Sequence, residues 1–227
     1  MRYQYVLMDA DETLFDFKTS MRKALTKTYI KYGIEVTEEN IQYYAWLNDR
    51  IWERLERKEI TKKELIETRF RILCDHFHVK HPGGTEMEMF YQDALSKGHD
   101  LMPDADAVCG RLCRHVRLYL VTNGTAAVQR RRIEECGLKD FFQGIFISED
   151  IGVNKPHKEY FEYVYETIGR PPKQDMIIVG DSMTSDIKGG HDFGIDTCHI
   201  VPETPEYTDI VPTYTIHGLK ELYEVLY

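Results

Sequence analysis

Two aspartates near the N-terminus form the residue pair best suited to chemistry. Asp9 and Asp11 lie two residues apart, directly after the short apolar run Tyr5–Met8. A carboxylate can attack phosphorus and form an acyl phosphate, which splits one difficult displacement into two easier ones. A second carboxyl on the same turn can protonate the leaving alkoxide and later activate water. The spacing of Asp9 and Asp11 therefore suits a division into one nucleophilic carboxylate and one general acid and base.

Further polar residues follow later apolar runs of the chain. Thr122 and Asn123 follow the second run, and Lys155 lies a few residues after the third. A phosphoryl group in transfer spreads its charge over three equatorial oxygens, so cations and hydrogen-bond donors must surround it. We expect Lys155, the Thr122 hydroxyl and backbone amides near Asn123 to bind these oxygens.

Two more aspartates predict a metal site. Asp181 and Asp186 lie around the end of the fourth apolar run. Mg2+ prefers one or two carboxylates together with phosphate oxygens and water. Asp9 and Asp181 can supply those carboxylates, and the cation would screen the repulsion between the aspartates and an anionic substrate.

The apolar runs must be strands of one sheet if these residues are to meet. The runs comprise residues 5–8, 116–121, 145–147, 176–179 and 195–200. Helical patterns lie between some of them, at residues 125–136 and 157–168. Strands that alternate with helices predict a parallel sheet covered on both faces. Ligands of such sheets gather outside the carboxyl ends of the strands, where the polar residues described above would converge.

The region from residue 17 to residue 100 has a different pattern. It shows helical periodicity and no convincing strand, and Thr61 with Glu64 fits a capping box at one helix start. We therefore expect two domains. Residues 1–16 and 101–227 would form an α/β core, and residues 17–100 would form a helical domain inserted after the first strand.

The amino-acid composition limits which classes of binding partner and which cellular compartment we expect. The 227 residues carry a net charge of −9, which argues against nucleic acid or an anionic membrane as partner because both demand a basic surface. The consecutive Arg130, Arg131 and Arg132 fit a solvated helix face. The five cysteines show no zinc-binding spacing and suit reduced thiols. No apolar run is long enough to span a bilayer, so we expect a cytoplasmic protein, by default a monomer, with a dimer as the alternative.

The polar residues at the ends of the apolar runs and their neighbours form four short motifs. Together these motifs resemble those of the haloacid dehalogenase-like phosphohydrolase superfamily. Residues 9–15 (Asp-Ala-Asp-Glu-Thr-Leu-Phe) are similar to its first motif, and residues 121–124 (Val-Thr-Asn-Gly) to its second. Lys155 and Pro156 resemble the third motif, and residues 180–186 (Gly-Asp-Ser-Met-Thr-Ser-Asp) the fourth. The resemblance implies a Rossmann-like parallel-sheet core, a helical cap inserted after the first strand, and Mg2+ as cofactor.

The resemblance also implies a role for each matched residue. Asp9 would be the nucleophile and a metal ligand, and Asp11 would be the general acid and base that also offers its main-chain carbonyl to the metal. Asp181 would bind the metal, with Asp186 supporting it directly or through water. The inserted helices would close over the active site as a cap. The phosphate-binding residues would be Thr122, Asn123 and Lys155.

A finer resemblance concerns the substrate. Residues 9–15, 48–52, 147–153 and 189–190 resemble a subgroup of pyrimidine 5′-nucleotidases that includes enzymes for non-standard nucleotides. This resemblance implies a phosphatase acting on nucleoside 5′-monophosphates, a class of small phosphorylated metabolites. Within the cap, Asn48 and Trp52 lie at i,i+4 spacing and could contact a nucleobase, although a packed helix face explains the tryptophan equally well.

Three other functions remain open for these residues. A sugar-phosphate phosphatase or a phosphomutase would use the same aspartyl phosphate. A 2-haloacid dehalogenase would also use a nucleophilic aspartate, but its chemistry has no alkoxide to protonate and needs no metal. Asp11 and the pair Asp181 and Asp186 therefore argue against dehalogenation.

Overall fold

The chain folds into two compact units. The computed structural model describes residues 1–80, 82–83, 85–207 and 209–227. One unit, here called the sheet unit, comprises Met1–Phe17 and His99–Tyr227, and the other, the helical unit, comprises Lys18–Gly98. Within the described ranges, no helix is both long enough and apolar enough to cross a membrane.

Helices account for the regular structure of the helical unit. In its described residues they are α1 (Phe17–Tyr32), α2 (Glu38–Glu56), α3 (Lys62–His76) and α4 (Glu86–Ser96). The predicted capping box begins α3 and is confirmed. The Thr61 hydroxyl accepts a hydrogen bond from the Glu64 amide at 3.2 Å, and the Thr61 amide donates to the Glu64 carboxylate at 2.7 Å. Two amides at the start of the helix are thereby satisfied by nearby side chains.

The sheet unit contains a parallel sheet. In the described part of the chain its strands are β1 (Tyr5–Met8), β2 (Arg117–Thr122), β3 (Phe142–Ile147), β4 (Met176–Gly180), β5 (Asp196–Ile200) and β6 (Tyr214–Ile216). Their order across the sheet is β3-β2-β1-β4-β5-β6, and every neighbouring pair is parallel. The predicted α/β fold with a parallel sheet is confirmed.

Both faces of this sheet are covered by helices. The helices that follow the first strand in the sheet unit are α5 (Ala105–Leu112), α6 (Ala126–Glu135), α7 (Ser148–Ile151), α8 (Lys158–Thr167), α9 (Lys188–Phe193) and α10 (Leu222–Leu226). Along β1, Val6 and Met8 belong to one buried cluster, whereas Leu7 belongs to a second cluster that includes Phe161 of α8. Because strand side chains alternate between faces, this division shows that neither face of β1 is left to solvent.

Two strands differ from the sequence prediction. β3 begins at Phe142, earlier than predicted, because Gln143 and Gly144 interrupt the apolar run without ending the pairing with β2. The sequence pattern does not predict β6, a three-residue strand with only Ile216 fully buried. Both strands lie at the edges of the sheet, where each pairs with a single strand among the described residues and fewer apolar residues are required.

A buried ion pair ties three helices of the helical unit together. Arg69 of α3 and Glu88 of α4 are 3% and 2% exposed. The Arg69 guanidinium donates to both oxygens of Glu88, and its Nη1 donates to Oδ1 of Asn48 on α2 at 2.7 Å. The ring centres of Tyr44 and Tyr91 lie 5.6 and 5.2 Å from the guanidinium carbon. A charge in this position is tolerated because it is paired and each of the three guanidinium nitrogens donates a hydrogen bond.

We expect Glu88→Gln to destabilise the helical unit by about 3–5 kcal/mol, because Arg69 would keep its buried charge without a counter-ion. Denaturant unfolding followed by circular dichroism measures the change in the free energy of unfolding. Glu67→Gln is the matched control, since it removes the same charge from an exposed pair with Lys63. The control should have a much smaller effect, and equal effects of the two substitutions would contradict this account.

Candidate active site

The candidate site lies at the carboxyl ends of three adjacent strands. Asp9 follows β1, Thr122 ends β2, and Asp181 follows β4. Met8 lies level with Val179 in the sheet register, so the residues that follow these two leave the sheet at the same edge. After β1, the chain adds β2 and β3 on one side of β1, and it then adds β4 on the other side. This edge is therefore a topological switch point, where open parallel sheets bind ligands.

Lys155 lies between two carboxylates at this edge. Its ammonium donates to Asp9 Oδ1 at 2.6 Å, to Asp186 Oδ1 at 2.7 Å and to the Val121 carbonyl at 2.9 Å. These bonds use all three ammonium hydrogens. Burial alone would lower the pKa of Lys155, but Asp186 and Asp9 raise it above its usual value, so the side chain is charged. Lys155 thus fixes two carboxylates, and its contact with a phosphate stays a prediction.

Asp186 fits its position because the residue beside it is a glycine. A Cβ atom on Gly180 would lie 2.7 Å from Cβ of Asp186, closer than Cβ atoms approach in real structures. Asp186 is 1% exposed. Its second carboxylate oxygen accepts a hydrogen bond from the Ser182 amide at 3.2 Å. The glycine that ends β4 therefore has a steric role in the site.

Three aspartates form a compact acidic cluster. Carboxylate oxygens of Asp9, Asp181 and Asp186 lie within 4.8 Å of one another. Burial raises the pKa of Asp9 despite the opposing charge of Lys155. Burial, together with the charges of Asp9 and Asp186, raises the pKa of Asp181. One ammonium does not balance three carboxylates, so the excess charge and the all-oxygen donor set fit a hard divalent cation such as Mg2+.

The end of β2 and the turn that follows it contain two predicted phosphate-binding residues, Thr122 and Asn123, which make different contacts. Asn123 donates from its side-chain amide to the Lys155 carbonyl and accepts from the Lys155 amide, both at 2.9 Å, so it fixes the Lys155 backbone. The Thr122 hydroxyl oxygen accepts from the Gly124 amide at 3.2 Å and from Gln129 Nε2 at 3.0 Å. Its own hydrogen is then the part that can be donated to a ligand. Phosphate binding by either residue stays a prediction.

Side chains of helix α6 hold Asp11, the second aspartate of the first motif. Asp11 Oδ1 accepts a hydrogen bond from Arg132 Nη1 at 2.5 Å, and Asp11 Oδ2 accepts from Gln129 Nε2 at 2.7 Å. Both donors are buried, whereas the Asp11 side chain is 29% exposed. The arrangement therefore leaves the aspartate accessible while its two donors are enclosed by protein.

The sequence pattern predicts neither Gln129 nor Arg132 as a donor to Asp11. The prediction of a solvated face is wrong at Arg132, which is fully buried, and it fits Arg130 and Arg131, which remain at least partly exposed. Consecutive helical residues point about 100° apart, so three arginines in a row span about 200° and can reach both solvent and the protein interior. The available signal was the i,i+3 spacing of Gln129 and Arg132, which places two polar side chains on one face of α6.

The start of α6 is fixed by a residue from the segment before Lys155. The Glu149 carboxylate accepts a hydrogen bond from the Ala126 amide at 2.6 Å. Amides in the first turn of a helix have no partner within the helix, and a carboxylate there also complements the helix dipole. Residues 147–153, which carry part of the resemblance to nucleotidases, thus help to position the helix that holds Asp11.

The two predicted nucleobase contacts have partners inside the helical unit. Asn48 is 4% exposed and accepts a hydrogen bond from Arg69. The ammonium of Lys62 lies 3.9 Å from the ring centre of Trp52. These contacts favour packing roles for Asn48 and Trp52, and contact with a nucleobase stays a prediction.

Comparison with known proteins agrees with the fold and the motifs. A sequence model of the family described as haloacid dehalogenase-like hydrolase matches residues 3–194. The HAD-hydrolase YfnB of Bacillus subtilis is 38% identical over 226 residues, which cover 99% of this chain and 96% of that protein. A crystal structure of YfnB bound to magnesium has a TM-score of 0.93 to this chain at 37% identity, covering 100% of this chain and 99% of that one.

Two further relatives have names that state an activity. The pyrimidine 5′-nucleotidase PynA of Streptococcus pneumoniae is 33% identical over 227 residues, 100% of this chain and 96% of that protein. The pyrimidine 5′-nucleotidase YjjG of Escherichia coli is 32% identical over 227 residues, 100% of this chain and 99% of that protein. These matches include both the sheet unit and the helical unit. The chain therefore belongs to the haloacid dehalogenase-like hydrolase family.

Proposed function

We propose that the protein is a Mg2+-dependent phosphatase that acts on nucleoside 5′-monophosphates, in particular those of pyrimidines. The observation that carries the proposal is the carboxylate of Asp9, 2.6 Å from the Lys155 ammonium and within an acidic cluster at the sheet edge. Similarity over the full length to two pyrimidine 5′-nucleotidases supports the substrate class.

The first half of the reaction transfers the phosphoryl group to the enzyme. A carboxylate oxygen of Asp9 attacks phosphorus, a bond forms between them, and the bond from phosphorus to the ester oxygen breaks. Asp11 gives its proton to that ester oxygen, so the nucleoside leaves as a neutral alcohol. The products of this half are the aspartyl phosphate on Asp9 and an ionised Asp11.

The second half returns the enzyme to its starting state. The ionised Asp11 takes a proton from water while the water oxygen attacks phosphorus, and the bond between phosphorus and Asp9 breaks. Inorganic phosphate leaves, Asp9 is again a carboxylate, and Asp11 is again protonated.

The remaining site residues bind and orient the reacting groups. Asp9, Asp181 and the Asp11 carbonyl would hold Mg2+, with Asp186 in support. The bound cation supplies charge neutralisation at the phosphoryl oxygens. Lys155 keeps the Asp9 carboxylate in one orientation through a short charged hydrogen bond. The Thr122 hydroxyl can donate its hydrogen to a phosphoryl oxygen.

A panel of phosphate esters tests the substrate class. With Mg2+ present, we expect phosphate release from nucleoside 5′-monophosphates, with the highest kcat/KM for the pyrimidine ones. Colorimetric phosphate detection provides the measurement. Good release from sugar phosphates with none from any nucleotide would overturn the substrate class, and no release from any ester would overturn the phosphatase itself.

A substitution at the nucleophile tests the covalent step. We expect Asp9→Asn to lower kcat by about 10⁴-fold or more, because an amide cannot form the acyl phosphate. The fold should persist, since Lys155 keeps its bonds to Asp186 and Val121. Asp140→Asn, at an exposed position before β3, is the matched control and should retain the parent rate. Parent rates in Asp9→Asn would refute the nucleophile assignment.

A further inference from the structure

We propose that Gln129 and Arg132 are positioning residues that orient Asp11 for proton transfer to the leaving group. This inference rests on the proposed function, because it concerns the acid and base step of that reaction. It is carried by a hydrogen-bond network in the sheet unit that joins the first motif, the second motif and helix α6.

Both oxygens of Asp11 are bound by side chains of the same helix. Arg132 Nη1 donates to Oδ1 at 2.5 Å and Gln129 Nε2 donates to Oδ2 at 2.7 Å. Rotating the carboxylate about its Cβ–Cγ bond would break at least one of these bonds. The plane of the carboxylate, and therefore the direction in which it can give or take a proton, is set by two donors that are themselves buried.

Gln129 also links the acid and base residue to the predicted phosphate-binding hydroxyl. Its Nε2 donates to both Asp11 Oδ2 and Thr122 Oγ1, and its Oε1 accepts from Arg132 Nη1 at 3.1 Å. With both amide hydrogens donated and the amide oxygen accepting, only one orientation of the amide satisfies all three partners. One side chain thus fixes the position of Asp11 relative to Thr122.

The glycine of the second motif makes room for this link. A Cβ atom on Gly124 would lie 2.6 Å from Cγ of Gln129, a separation that would force the Gln129 side chain to move. The motif therefore contributes more than a turn: the absence of a side chain at Gly124 lets Gln129 reach Thr122 and Asp11 together.

Arg132 is placed by the first motif as well as by its own helix. Its guanidinium carbon lies 4.3 Å from the ring centre of Phe15, and the residue is fully buried. A planar guanidinium can stack on an aromatic face and donate to a carboxylate at the same time, which an ammonium does less well. Phe15 and Asp11 thus hold Arg132 between an aromatic ring and a hydrogen-bond acceptor, so the guanidinium is fixed before any ligand binds.

The positioning role differs from a purely structural one in its dependence on the leaving group. A nucleoside alkoxide needs a proton when it departs, whereas p-nitrophenolate departs as a stable anion. A misplaced Asp11 should therefore slow the transfer from an alkyl phosphate much more than the transfer from p-nitrophenyl phosphate. General disruption of the site would slow both transfers equally.

The test compares kcat/KM, which covers the steps through departure of the leaving group, for these two kinds of ester. The variants are Gln129→Leu and Arg132→Met, which place apolar side chains of similar size in buried positions. With the best alkyl phosphate substrate we expect a loss of about 10- to 100-fold, and with p-nitrophenyl phosphate a loss of less than about threefold. Arg132→Lys should recover part of the loss, and Arg130→Gln, on the exposed face of α6, should match the parent enzyme.

Equal losses with both esters, or no loss with either, would overturn the positioning role. Asp11→Asn separates this inference from the proposed function. If Asp11→Asn shows the leaving-group dependence and Gln129→Leu and Arg132→Met do not, the positioning role is wrong and the acid role of Asp11 stands. If Asp11→Asn does not show the leaving-group dependence, both the acid role and the positioning role are wrong. If circular dichroism shows that a variant does not fold, Gly124→Ala, which pushes on Gln129 directly, must show the same dependence or the inference is wrong.

Discussion

The site depends on an excess of buried negative charge at the carboxyl end of β1. Asp9, Asp181 and Asp186 bring carboxylate oxygens within 4.8 Å of one another, and Lys155 supplies one ammonium among them. Burying charge is costly unless each charge is paired and hydrogen-bonded. Hydrogen bonds from the surrounding protein pair the charges of Lys155 and Asp186. The negative charge that Lys155 does not neutralise suits a divalent cation, which in turn can bind a phosphoryl group.

The fold supplies rigid positions for this charge. Strand β1 lies inside the sheet with strands on both sides and buried side chains on both faces, so Asp9 follows a strand that is packed on every side. Nearby residues position the charged residues around Asp9. Asn123 holds the backbone of Lys155, and Gly180 leaves space for Asp186. Small displacements are costly in phosphoryl transfer, because the reacting atoms must be closely aligned.

The sequence predicts those parts of the fold that depend on local pattern. Apolar runs that end in polar residues identify the inner strands, and the capping box identifies the start of α3, because both signals lie within a few residues. β6 is missed because three residues at a sheet edge carry little apolar signal. The charge network at Asp11 is missed for another reason: Arg130, Arg131 and Arg132 look alike in sequence, and only the direction in which α6 faces the sheet decides which one is buried.

Thermal unfolding of the parent protein and of Asp181→Asn, with and without Mg2+, measures whether the acidic cluster requires a divalent cation. Without the cation, the variant should be the more stable protein, because one of three mutually repelling carboxylates is gone. At a hundredfold excess over Kd, Mg2+ should stabilise the parent by about 2.7 kcal/mol, which corresponds to a rise in Tm of about 5–10 °C for a chain of this size. The variant should gain little, so the order of stability should reverse. A parent protein whose Tm does not respond to Mg2+, or a variant that gains as much as the parent, would show that the acidic cluster does not bind the cation.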